Sequence, residues 1–334
     1  MRRARKPAWA KAFDLGFRAL ARKSLRGSTR AASAAFKIPL QQSRAPRVPG
    51  EWIAGVAMGA AGVRRYRLYR PPDVPFGERL PLVVMLHGCG QDANSFAHST
   101  RMNQLAARER VLVLYPEQDR LANNQGCWNW FDSRGGRAAA EAQLIMAAVA
   151  QVCVLHRGDR TRVALAGLSA GASMAALLAS RHPDRFKAVV MHSGVAPGAA
   201  QSTATALSAM RGTRTAKPLP VVAPAAIASW PPLLVIQGEE DTVVAASNGR
   251  TAATVWADAV GGRAVVARET RRGKRYPMVV TDFQAEGRTV CTLVEVKQLG
   301  HAWSGGAATQ AYGDAHGPDA TRLAWAFIAR QFRA

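Results

Sequence analysis

The stretch VALAGLSAG, residues 163–171, places a serine between two glycines at the end of an apolar run. Residues 163–166 predict a buried strand, and the apolar residues after Gly171 predict a helix. Glycines at 167 and 171 allow a sharp turn between them, so Ser169 would lie at a strained corner with its hydroxyl exposed above a sheet. Such a turn suits a serine nucleophile; a glycine- and serine-rich turn without catalysis is the alternative interpretation.

Short apolar runs recur along the chain and alternate with segments of helical periodicity. Continuous apolar runs are typical of parallel strands that are covered on both faces. The predicted strands are residues 64–70 (an edge strand), 82–86, 111–115, 163–166, 188–191, 233–236 and 290–296, and the predicted helices are residues 95–108, 138–155, 171–181, 246–260 and 318–332. This order predicts an α/β domain with a mostly parallel, doubly wound sheet and helices on both faces.

Two segments do not fit the repeat of strand and helix. Residues 196–230 are rich in Ala, Ser, Thr and Pro and predict an insertion over one end of the sheet. Residues 123–137 predict a long polar and aromatic loop. Because long loops in compact domains are often functional, both segments are expected to border a site.

Positive charge is concentrated at the N-terminus. The formal net charge is +23. Residues 1–50 contain 13 Lys and Arg and one acidic residue, Asp14, whereas residues 51–334 contain 32 basic and 21 acidic side chains. We therefore divide the chain into a basic arm, residues 1–50, and one catalytic domain, residues 51–334. The arm is expected to be partly helical, with an interfacial stripe, or disordered, and its charge suits nucleic acid, an anionic membrane or another acidic surface. The stripe consists of Trp9, Phe13, Phe17 and Leu20.

Several classes of protein are disfavoured by what the sequence lacks. No apolar run approaches the roughly 18 residues that a membrane span needs, and the basic start lacks the apolar stretch of a secretory signal. The chain is therefore expected to be cytoplasmic. It shows no glycine-rich phosphate loop and no cluster of metal ligands, so we expect neither a cofactor nor a metal.

The four cysteines are Cys89, Cys127, Cys153 and Cys291. None of them forms a C-x-x-C pair, so a zinc site is not indicated. Buried thiols are the default expectation. A bridge between Cys89 and Cys127 is the main alternative because both lie on loops that could converge, although a cytosolic location argues against it.

A serine nucleophile needs a base, and that base needs an acid that follows the serine in the chain. Directly after the predicted strand at residues 233–236 come Glu239, Glu240 and Asp241. A carboxylate just beyond a strand end can accept the imidazole N–H and hold its tautomer. Asp241 is the preferred acid because the two glutamates lie nearer the strand; a solvated acidic turn is the alternative.

The candidate base is His301, which lies in a glycine-flanked loop after the predicted strand at residues 290–296. A purely structural histidine is the alternative. The rival histidines are His316, His182 in an Arg-His-Pro-Asp turn, and His192, which leaves a strand too early in the required order.

The tetrahedral oxyanion of an acyl transfer needs two hydrogen-bond donors. One is expected from the residue after the nucleophile, Ala170, and the other from the loop that follows an early strand. Residues 82–91 supply that strand and loop, so the backbone N–H groups of Cys89 and Ala170 are the predicted oxyanion hole. An ordinary tight turn at His87 and Gly88 is the alternative.

Four separated segments resemble the esterase family of poly(3-hydroxybutyrate) depolymerases. They are LHGCGQ at 86–91, GCWNWF at 126–131, GLSAG at 167–171 and GHAWSGG at 300–306. The resemblance covers roughly residues 60–332. It implies an α/β-hydrolase fold and hydrolysis of carboxylic esters by a triad. By motif position, Ser169, Asp241 and His301 match the nucleophile, the acid and the base, and Cys89 matches the oxyanion-hole position.

The resemblance also implies a substrate class. Poly(3-hydroxybutyrate) or its oligomers is the first expectation, and feruloyl and acetylxylan esterases resemble the same family. Because the chain lacks the secretory signal, linker and binding domain of secreted depolymerases, an intracellular target such as a storage granule is expected. Four aromatic residues could form apolar walls for an acyl chain, or could instead pack their loops onto the sheet: Trp128, Trp130, Tyr115 and Trp303.

A second class of function competes with the enzyme. A basic protein could use residues 1–50 on a granule or nucleic acid, with a hydrolase fold that has lost catalysis. The presence of Ser169, Asp241 and His301 disfavours that interpretation, and nucleic acid is not the expected partner.

Overall fold

A computed structural model describes residues 45–333. The helical stripe predicted within residues 1–50 lies outside the described residues, and the division of the chain at residue 50 stays a prediction.

Thirteen strands are present among the described residues, of which eleven form one sheet. Those of the large sheet are β1 (Glu51–Gly59), β2 (Gly62–Arg70), β3 (Leu80–Leu86), β4 (Leu112–Pro116), β5 (Gly158–Leu168), β6 (Ala188–His192), β7 (Leu233–Gly238), β8 (Arg263–Ala264), β9 (Arg268–Thr270), β10 (Met278–Ala285) and β11 (Arg288–Val296). The other two, β12 (Trp303–Ser304) and β13 (Gly313–Asp314), pair with each other.

The sheet runs in the order β1-β2-β4-β3-β5-β6-β7-β11-β10-β8, with β9 also paired to β10. Every pair from β4 to β11 is parallel. The antiparallel hairpins β1–β2 and β10–β11 flank these parallel strands, and the short strands β8 and β9 pair with the outer side of β10. The predicted mostly parallel sheet is thus confirmed, and the carboxyl ends of β3, β5, β6 and β7 meet along one edge.

Seven α-helices cover the described part of the sheet. They are α1 (Ala93–Thr100), α2 (Met102–Glu109), α3 (Arg137–Leu155), α4 (Ala170–Arg181), α5 (Thr203–Met210), α6 (Ser247–Asp258) and α7 (Ala320–Arg333). Side chains of β3 show why both faces are covered. Leu82, Val84 and Leu86 join the core under α3, α4 and α6, whereas Val83 and Met85 join the core under α1, α2 and α7.

The structure corrects two sequence-based element assignments and adds detail to a third. The predicted helix at 95–108 is two helices, because Arg101 adopts the left-handed conformation (φ 56°) and donates its N–H to Ala97 O. The predicted edge strand at 64–70 is the second strand, since β1 pairs outside it. The insertion at 196–230 contains α5 and a 3₁₀ turn at Pro224–Ser229.

Among residues 45–333, α3 is the one helix that is long and apolar enough to cross a membrane by length and composition. It contacts β1, β2, β4 and β5, and half of its apolar window is buried inside the domain. Its apolar character is explained by this packing against the sheet, because a helix that lies on a sheet buries its apolar face there.

Candidate active site

Ser169 lies at the junction between the end of β5 and the start of α4. Its backbone has φ 57° and ψ −121°, a conformation that a residue with a side chain seldom adopts. The backbone N–H of Ser169 donates to His192 O at 2.8 Å, which ties this corner to β6. Strain of this kind costs about 1–3 kcal/mol and is retained where the surrounding structure imposes it.

The two flanking glycines are required by close backbone approaches. A Cβ at Gly171 would lie 2.0 Å from Leu86 O, and one at Gly167 would lie 2.4 Å from the carbonyl carbon of Gly171. Neither contact can be relieved by turning a side chain, because the opposing atoms belong to the backbone. The first turn of α4 is therefore packed directly against the end of β3.

Asp241 and His301 form a buried pair at the ends of β7 and β11. His301 Nδ1 lies 2.8 Å from Asp241 Oδ2, and both residues are buried. Asp241 Oδ1 accepts the backbone N–H groups of Val243 (2.9 Å) and Val244 (2.8 Å). Since a carboxylate can only accept, Nδ1 carries the hydrogen and Nε2 is left as the imidazole acceptor.

The electrostatics of Asp241 favour the charged carboxylate. Burial alone raises its pKa, but the adjacent His301 and the two backbone N–H donors outweigh burial, so the pKa of Asp241 lies below its ordinary value. The competing acids Glu239 and Glu240 are exposed. The structure therefore places Asp241, and neither glutamate, in contact with His301.

His192 bridges the serine corner and the His301 loop. Its carbonyl accepts the N–H of Ser169, and its Nε2 accepts the N–H of Ser304 at 3.0 Å. Burial, assisted by the nearby His301, lowers the pKa of His192 to about 3. A ring nitrogen that is already occupied by a backbone donor cannot take a proton from Ser169, so His192 holds loops together.

The other rival histidines lie away from this pair. His182 caps the end of α4 and is partly exposed, and His316 is exposed, where its ring faces Tyr276.

The loop after β3 lies against the serine. A Cβ at Gly88 would be 3.6 Å from Ser169 Cβ. The N–H groups of Gly88, Gly90 and Gln91 donate to Gln91 Oε1 (2.9 Å), Gln125 O (2.9 Å) and Gly88 O (3.3 Å), respectively. Within the described chain, the N–H of Cys89 has no such acceptor.

Ala170 is the first residue of α4, and the opening N–H groups of a helix have no acceptor within it. The two N–H groups predicted for the oxyanion hole therefore belong to the loop and the helix start that flank Ser169.

Cys89 and Cys127 form a disulfide with Cα atoms 4.3 Å apart. The default expectation of buried free thiols is wrong for this pair and confirmed for Cys153 and Cys291. The two loops converge because Gly90 N donates to Gln125 O, which brings the segment after β4 beside the end of β3. The spacing of the cysteines in the sequence does not predict that the two loops come together, because their contact depends on how the long loop after β4 folds back.

A small cavity adjoins Ser169 and Ala170. One wall consists of the disulfide together with Trp130 and Phe131, whose rings pack edge to face with centroids 5.6 Å apart. The opposite wall consists of Val195, Met210 and Val244. This lining is mostly apolar, with Ser173 as a further polar member, and the cavity holds only about 10 Å³.

Of the four aromatic residues predicted to contact substrate, Trp130 lines the cavity. Trp128 is fully buried behind it, with its indole N–H on His87 O at 3.1 Å. Trp303 is buried on the other face of the sheet against Phe96. Tyr115 is buried on that face too, and its hydroxyl donates to Asn103 Oδ1. The prediction is thus corrected for Trp128, Trp303 and Tyr115, which pack their elements together.

Sequence reasoning missed most of the opposite wall. Met210 ends α5, inside the insertion at 196–230 that was expected to border the site, so only its region could be anticipated. Val195 follows the end of β6, where no pattern marks it. Between residues 45 and 333, no group of three or more His, Cys, Asp or Glu side chains could hold a metal ion.

A family model described as esterase PHB depolymerase matches residues 64–275. The chain belongs to this family. The matched region contains Ser169, Asp241 and both cysteines of the disulfide, and His301 lies beyond it. Membership in the PHB depolymerase esterase family confirms the resemblance seen in the four sequence motifs.

Proteins similar in sequence to this chain include two kinds of esterase. Poly(3-hydroxyalkanoate) depolymerase C of Paucimonas lemoignei is 34% identical over 131 residues, which cover 39% of this chain and 31% of the relative. Feruloyl esterase B of Thermothelomyces thermophilus is 28% identical over 194 residues, covering 54% and 66%. The match thus spans 31% to 66% of the length of these relatives.

Solved structures share the architecture. An acetyl xylan esterase from Aspergillus awamori superposes with a TM-score of 0.58 at 18% identity, over 75% of this chain and 94% of that one. A ferulic acid esterase gives 0.55 at 15% identity, over 85% and 99%. The fold is therefore the α/β-hydrolase fold, as the resemblance implied.

Proposed function

We propose that the chain is a serine carboxylic-ester hydrolase that acts through Ser169, His301 and Asp241. Ser169 Oγ attacks the ester carbonyl carbon while its proton passes to His301 Nε2, and the oxyanion accepts the N–H groups of Cys89 and Ala170. The ester C–O bond then breaks as His301 gives that proton to the departing alcohol. Water attacks the acyl-enzyme, loses a proton to His301 and releases the acid, and the proton returns to Ser169.

One observation carries the proposal. Asp241 and His301 pair at 2.8 Å beyond the same edge of the sheet at which Ser169 occupies a strained corner. Ser193, which follows the end of β6, also has a positive φ, but Ser169 combines φ 57° with ψ −121°, outside the ordinary left-handed helical region. A buried pair of this kind, with the acid held by two backbone N–H groups, would also be a costly way to build a structural contact.

For the substrate, we propose poly(3-hydroxybutyrate) or its oligomers. The support is the family and the 34% identical poly(3-hydroxyalkanoate) depolymerase C. An ester of an aromatic acid is the second candidate, because Trp130 and Phe131 in the cavity wall could stack on a flat ring and because feruloyl esterase B is a relative.

The activity is tested with the full chain on four substrates side by side: hydroxybutyrate oligomers, amorphous polymer, a feruloyl ester and acetylated xylan. Release of hydroxybutyrate supports the first substrate and release of ferulate the second. A phosphonate ester that reacts with activated serines should add its mass to the peptide containing Ser169 and to nothing in Ser169→Ala. Labelling at another residue, or no turnover of any ester by folded protein, would refute the proposal.

We propose further that residues 1–45 attach the protein to an anionic or granule surface inside the cell. The basic charge of the arm supports this, whereas disulfides such as Cys89–Cys127 persist mainly in oxidising compartments. Deletion of residues 1–45 should release the protein from isolated granules without changing ester hydrolysis. Thiol trapping with a denaturant present separates a cytoplasmic from an oxidising location. Cys89 and Cys127 are both buried, and they should be alkylated as thiols if the protein is cytoplasmic but remain a disulfide if it is not.

If the chain is instead a binding protein without catalysis, deletion of residues 1–45 should still release it from granules, but none of the esters should be hydrolysed. Steep loss of DNA binding with added salt would identify phosphate contacts by the arm.

A further inference from the structure

A buried carboxylate on α3 reaches the loop that forms one cavity wall. Glu141 is 4% exposed, although it is a glutamate in a helix that packs on a sheet. Its Oε2 accepts the backbone N–H of Asn129 at 2.8 Å, and its Oε1 accepts the side-chain amide of Asn129 at 2.6 Å. Gln118 Nε2 donates to the same Oε1 at 2.6 Å. An ionised carboxylate only accepts hydrogen bonds, so it can satisfy all three of these donors.

The charge of Glu141 is balanced through an amide. Arg64 Nη1 donates to Gln118 Oε1 at 2.6 Å, and the guanidinium lies over the ring of Trp128 at 5.3 Å. Burial lowers the pKa of Arg64, and the nearby Glu141 opposes that effect. Gln118 thus connects a buried cation to a buried anion. Arg64 Nε is buried without a hydrogen-bond partner, whereas the contacts of Gln118 and Glu141 described above are made. Because buried charges are costly to leave unpaired, these contacts are expected to hold one geometry.

The network ends at the parts of the site that orient the substrate carbonyl. Gln118 Nε2 also donates to Cys127 O at 3.0 Å, and Cys127 is bonded to Cys89. Asn129 precedes Trp130 and Phe131 in the cavity wall. Gln118 N donates to His87 Nε2 at 3.1 Å, two residues before Cys89.

We propose that Glu141 is a positioning residue for ester hydrolysis. It touches no substrate; its carboxylate fixes the loop of residues 127–131 and, through the disulfide, the position of the Cys89 N–H. This inference rests on the proposed function. An amide at position 141 would turn an –NH₂ group toward either one or two of the three donors, and the loop would shift to relieve the conflict.

The test compares Glu141→Gln with the wild type and with Glu78→Gln. The control glutamate pairs with Arg110 at 2.5 Å on the exposed surface before β3, so it loses an ion pair away from the site. We expect Glu141→Gln to lower kcat for a p-nitrophenyl ester by about 10- to 100-fold, because an error of about 1 Å in placement costs that much. Glu78→Gln should retain wild-type kcat.

Two further measurements separate positioning from general loss of structure. All rates are taken well below the unfolding midpoint of each variant, where a merely stabilising residue would leave kcat unchanged. The pH dependence of kcat should keep its shape in Glu141→Gln, since the proton relay is untouched. Asn129→Ala removes one donor from the same contact and should also lower kcat. This variant replaces Glu141→Gln in the test if Glu141→Gln does not fold.

The outcomes distinguish this inference from the function on which it rests. An inactive wild type would refute the proposed function itself. An active wild type together with a folded Glu141→Gln or Asn129→Ala of undiminished kcat would overturn the positioning role.

Discussion

The two sides of the candidate active site are held in place by different means. On one side, Ser169, Asp241 and His301 follow the ends of β5, β7 and β11, so the backbone ladder of the sheet positions them. On the other side, the wall containing Cys127 and Trp130 belongs to a long loop between β4 and α3. That loop is held by a disulfide and by buried side-chain hydrogen bonds. The positions of Ser169, Asp241 and His301 thus depend on the sheet, whereas the position of the cavity wall depends on long-range side-chain contacts.

Removing the acid should give the largest effect on the sheet side. Asp241→Asn replaces the acceptor of His301 Nδ1 with an amide that can hold the wrong tautomer, so kcat for a p-nitrophenyl ester should fall by about 10⁴-fold. Glu240→Gln, an exposed neighbour that loses the same charge, should match the wild type. Equal losses in the two variants would show that local charge matters rather than the contact with His301.

Removing the disulfide tests the loop side. Cys127→Ser opens a link between residues 38 positions apart, and the loss of that cross-link should lower the free energy of unfolding by about 4 kcal/mol. Cys153→Ser, which changes a buried free thiol, is the matched control. Urea unfolding measures both. If Cys127→Ser loses no more than Cys153→Ser, the cross-link does not hold the wall.

Acid should weaken both sides through their buried histidines. Burial lowers the pKa of His87 to about 4 and of His192 to about 3. Since an unfolded histidine titrates near 6.5, the unfolded chain binds more protons below that pH, and stability falls by up to about 1.4 kcal/mol per pH unit per histidine. This loss of stability runs from about pH 6.5 down to about pH 4 for His87 and about pH 3 for His192.

Urea titrations at pH 7, 6 and 5 check this slope. His192→Gln offers Oε1 where Nε2 accepted the Ser304 N–H and cannot be protonated there, so the slope should become shallower. An unchanged slope in that variant would contradict the assignment of acid sensitivity to His192.

The smallest effect concerns the strain at the serine itself. Ser169→Gly should raise the free energy of unfolding by about 1 kcal/mol, because glycine adopts φ 57° without the cost paid by other residues. Ser169→Ala keeps a Cβ and should show no such gain. A gain of equal size in both variants would mean that the hydroxyl, and not the backbone, is the source of the strain.

The same contrast explains what could be predicted from the sequence. Ser169, Asp241 and His301 follow apolar runs whose type and order set the sheet, so their common edge was predictable. Tyr115 ends one of these runs and Trp303 follows another, yet both are buried in the core on the opposite face of the sheet. Their position next to motifs in sequence could not decide which face receives the side chain.

Features that depend on tertiary contacts were missed. The bond between Cys89 and Cys127 was left open because it requires the segment after β4 to return to the end of β3. The sequence does not single out Glu141, because a lone glutamate in a helix is normally solvated and only the folded loop supplies its three donors. The outermost described strand, β1, and the strand β10 were not predicted; the apolar residues of β1 are interrupted by Gly55, and those of β10 by Thr281 and Asp282.

The two margins of the sheet should behave differently in concentrated solution. At one margin, β8 and β9 are two and three residues long and leave little backbone to pair. At the other, β1 is a nine-residue strand, the outermost among residues 45–333, with Val56 and Met58 exposed. A long apolar margin strand is a template for strand addition by another molecule. Self-association during storage should therefore begin at β1, and a lysine introduced at Met58 is the simplest way to retard it.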